Sequence, residues 1–225
     1  MIPEDANTLQ RLTSARFSCR GFRPDPVPKE VFARIFEIAQ HTASWCNAQP
    51  WQVHVTRGDA TERFRTLLLE PQREGEPGPD FEFPRAYEGV YQDRRRECGL
   101  ALYQAVGVAR GDREGGVRQT MENFRLFGAP HAAIVTCPEA LGFYGALDCG
   151  AWVSQFMLAA HALGVASIAQ AALALRPQRA RDFFGLAADR RVVCGLSIGY
   201  ADPQHPANGF RTSRADPATA VTWVD

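Results

Sequence analysis

Residues 43–55 read Ala43-Ser44-Trp45-Cys46-Asn47-Ala48-Gln49-Pro50-Trp51-Gln52-Val53-His54-Val55. The first part sets two indoles, two amides and a hydroxyl around a proline. Aromatic faces pack on a flat heterocycle and amides hydrogen-bond its rim, so such a set can hold one. The same residues also make an ordinary turn with a pair of core tryptophans. From Trp51 on, apolar Trp51, Val53 and Val55 alternate with Gln52, His54 and Thr56, which predicts a strand closing at Arg57-Gly58.

Upstream, Asp25-Pro26-Val27-Pro28-Lys29-Glu30 reads as a helix start, with Pro28 suited to the first turn. Val31, Phe32, Ile35, Phe36 and Ala39 follow at helical spacing and face a core. Residues 4–15 form a short opening helix. Between the two helices lies Arg16-Phe17-Ser18-Cys19-Arg20. In an extended segment residues 16, 18 and 20 share one side, so two guanidinium groups and a hydroxyl can converge on a phosphate. A solvated surface segment has the same composition. The tail repeats the theme in Asn208-Gly209-Phe210-Arg211-Thr212-Ser213-Arg214, arginines beside hydroxyls with no acidic residue inside the stretch.

Downstream, the pattern predicts helices over 59–72, 91–109, 114–127, 145–163 and 177–185. Strands are expected at 132–137 and 192–200, and residues 165–173 are apolar without a strong period. Residues 73–90 hold three prolines, three glycines, Phe81, Phe83 and Tyr87, the profile of a lid or binding loop. Few strands, not joined as a βαβ series, predict an α+β fold. The length of 225 residues fits a single domain over 1–225.

Basic and acidic residues number 25 each, so no global field draws nucleic acid or an anionic membrane. Lys29 is the sole lysine. Arginine suits bidentate phosphate contacts better, and any anion site must come from local clusters. No stretch approaches a membrane span. The start Met1-Ile2-Pro3-Glu4-Asp5 lacks a signal-peptide pattern, so a cytoplasmic location is expected. The six cysteines form no CxxC pair and are expected to be reduced, mostly small buried hydrophobes. The five histidines show no metal-ligand pattern, and no metal is expected. P-loop and Rossmann motifs are missing.

Taken together and in this order, these segments resemble the FMN-dependent nitroreductase family, in its nitrobenzoate-reductase-like branch. Residues 16–20 resemble its N-terminal R-x-S-x-R phosphate motif, and residues 43–51 its P-S-x-x-N-x-Q-P-W signature. Leu163-Gly164-Val165-Ala166-Ser167-Ile168-Ala169-Gln170-Ala171-Ala172-Leu173 is similar to its flavin-edge loop, and residues 194–214 to its late strand and closing arginines. Ala43 stands where the family has proline. Phe17 stands where a second arginine or histidine is common, leaving little beyond backbone to offer there.

The resemblance implies a nitroreductase-like fold, a central, mostly antiparallel sheet flanked by helices, in an intertwined homodimer with two FMN sites at the interface. The terminal run 220–224 would add to the partner's sheet or pack across it. Arg16, Phe17, Ser18, Arg20 and Arg214 would hold the phosphate, with Arg211 a further candidate. Ser44, Trp45 and Asn47 would approach the ring and ribityl chain, and the backbone at Ala169, Gln170 and Ala171 the N5 edge. Some contacts would cross between subunits. NAD(P)H and a nitroaromatic, quinone or similar flat acceptor would use one open face alternately, in a slot under residues 81–127. Phe124 and Phe143 would wall it, although Phe124 also fits a core position. No side chain is assigned as a general acid. A dehalogenase or dehydrogenase on the same fold, or a non-catalytic FMN binder, are the alternatives.

Overall fold

In the computed structural model, residues 3–224 are described. Met1, Ile2 and Asp225 lie outside them, and with them part of the stretch read for an export signal. The sheet is built on a run that is apolar without alternation, His131–Pro138 (β2), buried on both faces. Ala133, Val135 and Cys137 point into one core and Ala132 and Ile134 into the other, as a period of two requires. On one side β2 pairs with Gln52–Val55 (β1), and on the other with Arg190–Gly199 (β4). Ala166–Gln170 (β3) forms the far edge, giving the order β1-β2-β4-β3, antiparallel throughout. The register shifts at Val135/Thr136, a bulge in the β2–β4 pair.

Helices cover both faces. Lys29–Gln40 (α2) and Gly142–Ala162 (α6) pack on one, where Ile35, Ala39, Trp152 and Phe156 meet Leu196 and Ile198. Asp59–Leu69 (α3) and Pro177–Phe184 (α7) serve the other, with Phe64 and Leu68 against Ile168 and Val192. Glu4–Ala15 (α1) lies against α6. Val90–Ala105 (α4) and Arg113–Met121 (α5) form an arm, and α4 has no buried residue. The α+β expectation holds. Three elements differ from their expected form. The aperiodic 165–173 contains β3. The 91–109 helix stops at Ala105, and the 114–127 helix stops at Met121 before a turn with positive φ at Leu126 and Phe127.

The loop 73–90 is less free than its composition predicts. Glu76 and Arg179 form a buried ion pair, side chains 4% and 1% exposed, with Arg179 Nε 2.6 Å from Glu76 Oε1. The same guanidinium donates to the carbonyls of Leu67, Glu70 and Pro71. Asp80 accepts from Arg181 at 2.7 Å and from the Val192 amide at 2.7 Å. The first half of the loop is thus tied to α7 and β4, and only residues beyond it can serve as a lid.

His131 lies buried with Nε2 accepting from the Val27 amide at 2.9 Å and Nδ1 facing the Thr56 carbonyl at 3.0 Å, which fixes the neutral tautomer. All six cysteines are free. Cys19, Cys137 and Cys149 are buried as expected, while Cys46 is exposed. Among the described residues no helix is long and apolar enough to cross a membrane.

Glu76→Gln leaves a guanidinium buried without its counter-charge, which costs about 3 kcal/mol. Chemical denaturation should show that loss. Hydrogen bonding from Arg179 holds the Glu76 carboxyl down to about 2 from the ordinary 4.5, so its contribution is fully present above 4.5 and is lost progressively as pH falls from there through about 2. Burial holds the histidines His54, His131 and His161 below the ordinary 6.5. Their contribution is present above pH 6.5 and lost on acidification through the lowered values. Melting temperature should therefore be flat above pH 6.5 and decline below it, less steeply in His131→Gln.

Candidate functional site

Chain ends separated by the whole sheet meet at one cavity of about 270 Å³ lined by Arg16, Phe17, Ser18, Arg20, Arg211 and Arg214. Arg16 ends α1 in an extended conformation. Ser18 then bridges Ser167 at the start of β3, and the Cys19 amide donates to the Ser167 carbonyl at 3.2 Å. This extension sets residues 16, 18 and 20 on the cavity side. The tail is fastened by Asn208. Its Oδ1 accepts from the Arg20 amide at 2.8 Å, and its Nδ2 donates to the carbonyls of Gly21 at 2.7 Å and Asp202 at 2.9 Å. Gly21 permits this approach, since a Cβ there would run into the His205 ring.

The arginines are braced by neutral groups. The Arg211 guanidinium lies 3.9 Å from the Phe17 ring centroid, so Phe17 contributes its ring as well as its backbone. Arg214 donates to Thr212 Oγ1 at 2.8 Å. Among the described residues no carboxylate pairs with Arg16, Arg20, Arg211 or Arg214, although exposed arginines elsewhere find partners. Arg16 Nη1 is buried with no hydrogen-bond partner. Burial, and then the Arg214 charge, lower the Arg16 pKa, and burial lowers that of Arg20. Buried guanidinium donors without an acceptor are costly, and one phosphate satisfies them together. The residues present therefore fit the phosphate of FMN.

Ala169 and Ala171 are exposed just beyond the Ser167 bridge. The Gln170 side chain turns inward, accepting from Ser197 Oγ and donating to the Asn123 carbonyl at 2.9 Å. The Gln170 side chain is therefore not available at that point, which leaves the backbone and the Ala169 and Ala171 methyl groups. Phe124 is half-buried against the core under α3 and α7. Phe143 is 72% exposed, its ring 5.6 Å from Tyr144.

The turn of Ser44, Trp45 and Asn47 is not at this cavity. The Trp45 amide donates to Asp148 Oδ2 at 3.1 Å, and its ring, on a residue 59% exposed, packs 4.5 Å from Tyr144. Burial, and then the charges of Arg16 and Arg11, lower the pKa of His161 toward the other end of α6. From Asp148 to His161 along α6 is about 20 Å at 1.5 Å per residue. One protomer thus carries the arginines at one end of α6 and the tryptophan turn at the other.

Sequence reasoning did not single out Asn208 as a site residue, although it stands in the quoted tail motif. It also missed Cys98, which lines the cavity, and Asp148, which holds the turn. Nothing local marks either one, because both act through α4 or α6 packing. Beside the first cavity a second, of about 550 Å³, continues under α4 past Arg94 and Glu97. A third, of about 900 Å³, lies between α4 and α5, lined by Leu100, Tyr103, Val108, Val117 and Met121 among others.

An α+β sheet whose edge presents an arginine cavity with no carboxylate in its lining marks an anion-binding protein. The nitroreductase family model matches residues 13–200, and the chain belongs to that family. It is 36% identical to nitroreductase NfnB of Mycolicibacterium smegmatis, over 93% of this chain and 90% of the relative. It is 30% identical to a 4-nitrobenzoate reductase of Pseudomonas putida, over 90% and 89%. The crystal structure of the FMN-dependent nitroreductase NfnB from Mycobacterium smegmatis in complex with NADPH superposes with a TM-score of 0.92. That match has 34% identity and covers 99% of this chain and 100% of the other.

Inorganic phosphate should raise the melting temperature of the flavin-free protein. The rise should disappear in Arg16→Ala and shrink in Asn208→Ala, which frees the tail; an equal rise in all three would contradict a shared anion cavity.

Proposed function

We propose that the protein is a homodimeric FMN-dependent oxidoreductase that carries electrons from NAD(P)H to nitroaromatics, quinones or similar flat acceptors, alternately at one site. One observation carries this reading: four arginines from opposite ends of the chain share a cavity with no carboxylate among the described residues. The relatives named above are nitro-group reductases, one of them solved with NADPH, which favours this reading over the dehalogenase, dehydrogenase and non-catalytic ones.

Arg16, Ser18, Arg20 and Arg214 neutralise the phosphate, with Arg211 held over Phe17 as a fifth donor. The backbone at Ala169–Ala171 orients the ring edge. Bound there, FMN supplies the redox chemistry, while the protein positions it and sets its electrostatics. The length of α6 supports delivery of Ser44, Trp45 and Asn47 by the second subunit. α6 exposes Phe143, Tyr144 and Leu147, and the tail exposes Val221, Trp223 and Val224, apolar surface suited to a twofold partner. One domain over 1–225 would then carry half of each of two sites. The cleft between α4 and α5 lies in the stretch expected to cover the acceptor, but Phe124 and Phe143, the expected stacking walls, do not line it. A cytoplasmic enzyme of this kind needs no dedicated proton donor among its side chains.

The purified protein should be a yellow dimer by light scattering, bleached anaerobically by NADH or NADPH. Arg16→Ala and Arg214→Ala should each weaken FMN binding, with a coupling of about 1–3 kcal/mol in the double-mutant cycle. Additive losses would contradict a common phosphate site, and a colourless protein that cannot be reconstituted would end the proposal.

A further inference from the structure

Within the Ser44–Trp51 turn three amides and an indole are linked end to end. Trp51 Nε1 donates to Gln40 Oε1 at 3.1 Å. Gln40 Nε2 donates to Gln49 Oε1 at 2.8 Å. Gln49 Nε2 donates to Asn47 Oδ1 at 3.0 Å and to the Asn47 backbone carbonyl at 3.2 Å. Gln40 comes from the end of α2, outside the turn it orders.

The direction of this chain is dictated at both ends. An indole N–H is a donor only, so it must meet the oxygen of Gln40. That leaves the Gln40 amide nitrogen toward Gln49, which must answer with oxygen. At the other end a backbone carbonyl is an acceptor only, so the Gln49 nitrogen must face Asn47. The side-chain oxygen of Asn47 is then occupied, and its NH₂ is the free end. The turn that holds it is costly to build. Cys46, Asn47 and Gln49 all have positive φ, 50°, 55° and 47°. It is clasped from outside by Ser44 Oγ on the Gln49 amide at 3.0 Å and by Asp148 on the Trp45 amide. Strain sustained by such a network is the mark of a segment held for function.

We propose that Trp51 and Gln40 are positioning residues that lock Asn47 as a hydrogen-bond donor toward the carbonyl-and-nitrogen rim of the flavin. This rests on the reading above, in which the turn faces the FMN of the partner subunit. A fixed donor at that rim favours the electron-rich reduced ring over the oxidised one, because its dipole is already aligned with the charge that develops. The polarity of one exposed amide is thereby set two side chains away, by a group that cannot accept.

The test uses the FMN-loaded enzyme, reading FMN affinity by fluorescence and midpoint potential by spectroelectrochemistry. Asn47→Ala removes the donor. Gln40→Glu still accepts from Trp51 but cannot donate to Gln49, so it turns the relay against itself. Trp51→Phe removes the directional lock without adding charge. Asn47→Ala and Gln40→Glu should each weaken FMN binding about fivefold, the loss of one hydrogen bond to the neutral oxidised ring, and make the potential more negative. Trp51→Phe should shift both in the same direction by less. In a Gln49→Ala background, Gln40→Glu should add nothing. An effect of Gln40→Glu that persists there would be a bare charge effect and would overturn the relay. So would a shift in Asn47→Ala with none in Gln40→Glu or Trp51→Phe. If Asn47→Ala itself shifts neither property, the placement of the turn against FMN fails, and the proposal with it. Gln40 is exposed, so its variant should melt with the parent; the melt of each variant verifies folding.

Discussion

Guanidinium groups that form no ion pair among the described residues are the constraint from which this structure follows. A chain with equal numbers of acids and bases has counter-ions to spare, and it uses them freely on its exposed helices. At the cavity it withholds them. Arg20 is instead propped by the Ser18 carbonyl, Arg211 by an aromatic ring and Arg214 by a hydroxyl, while Arg16 Nη1 is left without a partner. The resulting surplus of positive charge in a desolvated place favours whatever anion can enter. It needs both chain ends in register. That is why a buried asparagine, Asn208, ties the tail to residues 20–21, and why a glycine stands at 21.

The sheet makes this meeting possible. β2 is apolar on both faces, so helices must cover both, and the edge at β3 is left free to accept the Ser18 segment. α6 then acts as a spacer. It crosses one face with the arginines near its end and the tryptophan turn near its start, so the proposed function calls for two copies of the chain to complete a pocket. The exposed apolar groups on α6 and the tail agree with that demand.

Much of this was legible in the sequence because it is local. Alternation at 51–55, the continuous run at 132–137 and the heptad-like spacing in 31–39 each reflect one element meeting one core. The R-x-S-x-R segment was legible because an extended backbone alone puts its side chains on one side. What was hidden depends on distant partners. β3 is short and built of small residues, so its period is silent until β4 pairs with it. The grip on the 73–90 loop comes from Arg179 and Arg181, a hundred residues away, and composition alone reads that loop as free. Phe17 looked inert because its partner, Arg211, lies in the tail. The distance between the two halves of the site is a property of α6 packing, which no motif encodes.

The most direct measurement of the central claim is the phosphorus resonance of FMN in the holoprotein, followed with pH. A free phosphate monoester dianion takes up a proton near pH 6. Convergent arginines should hold it as a dianion, giving one displaced resonance that does not move between pH 8 and about 5. A resonance that titrates near pH 6, as in free FMN, would mean that the arginines do not share the phosphate and would contradict the account.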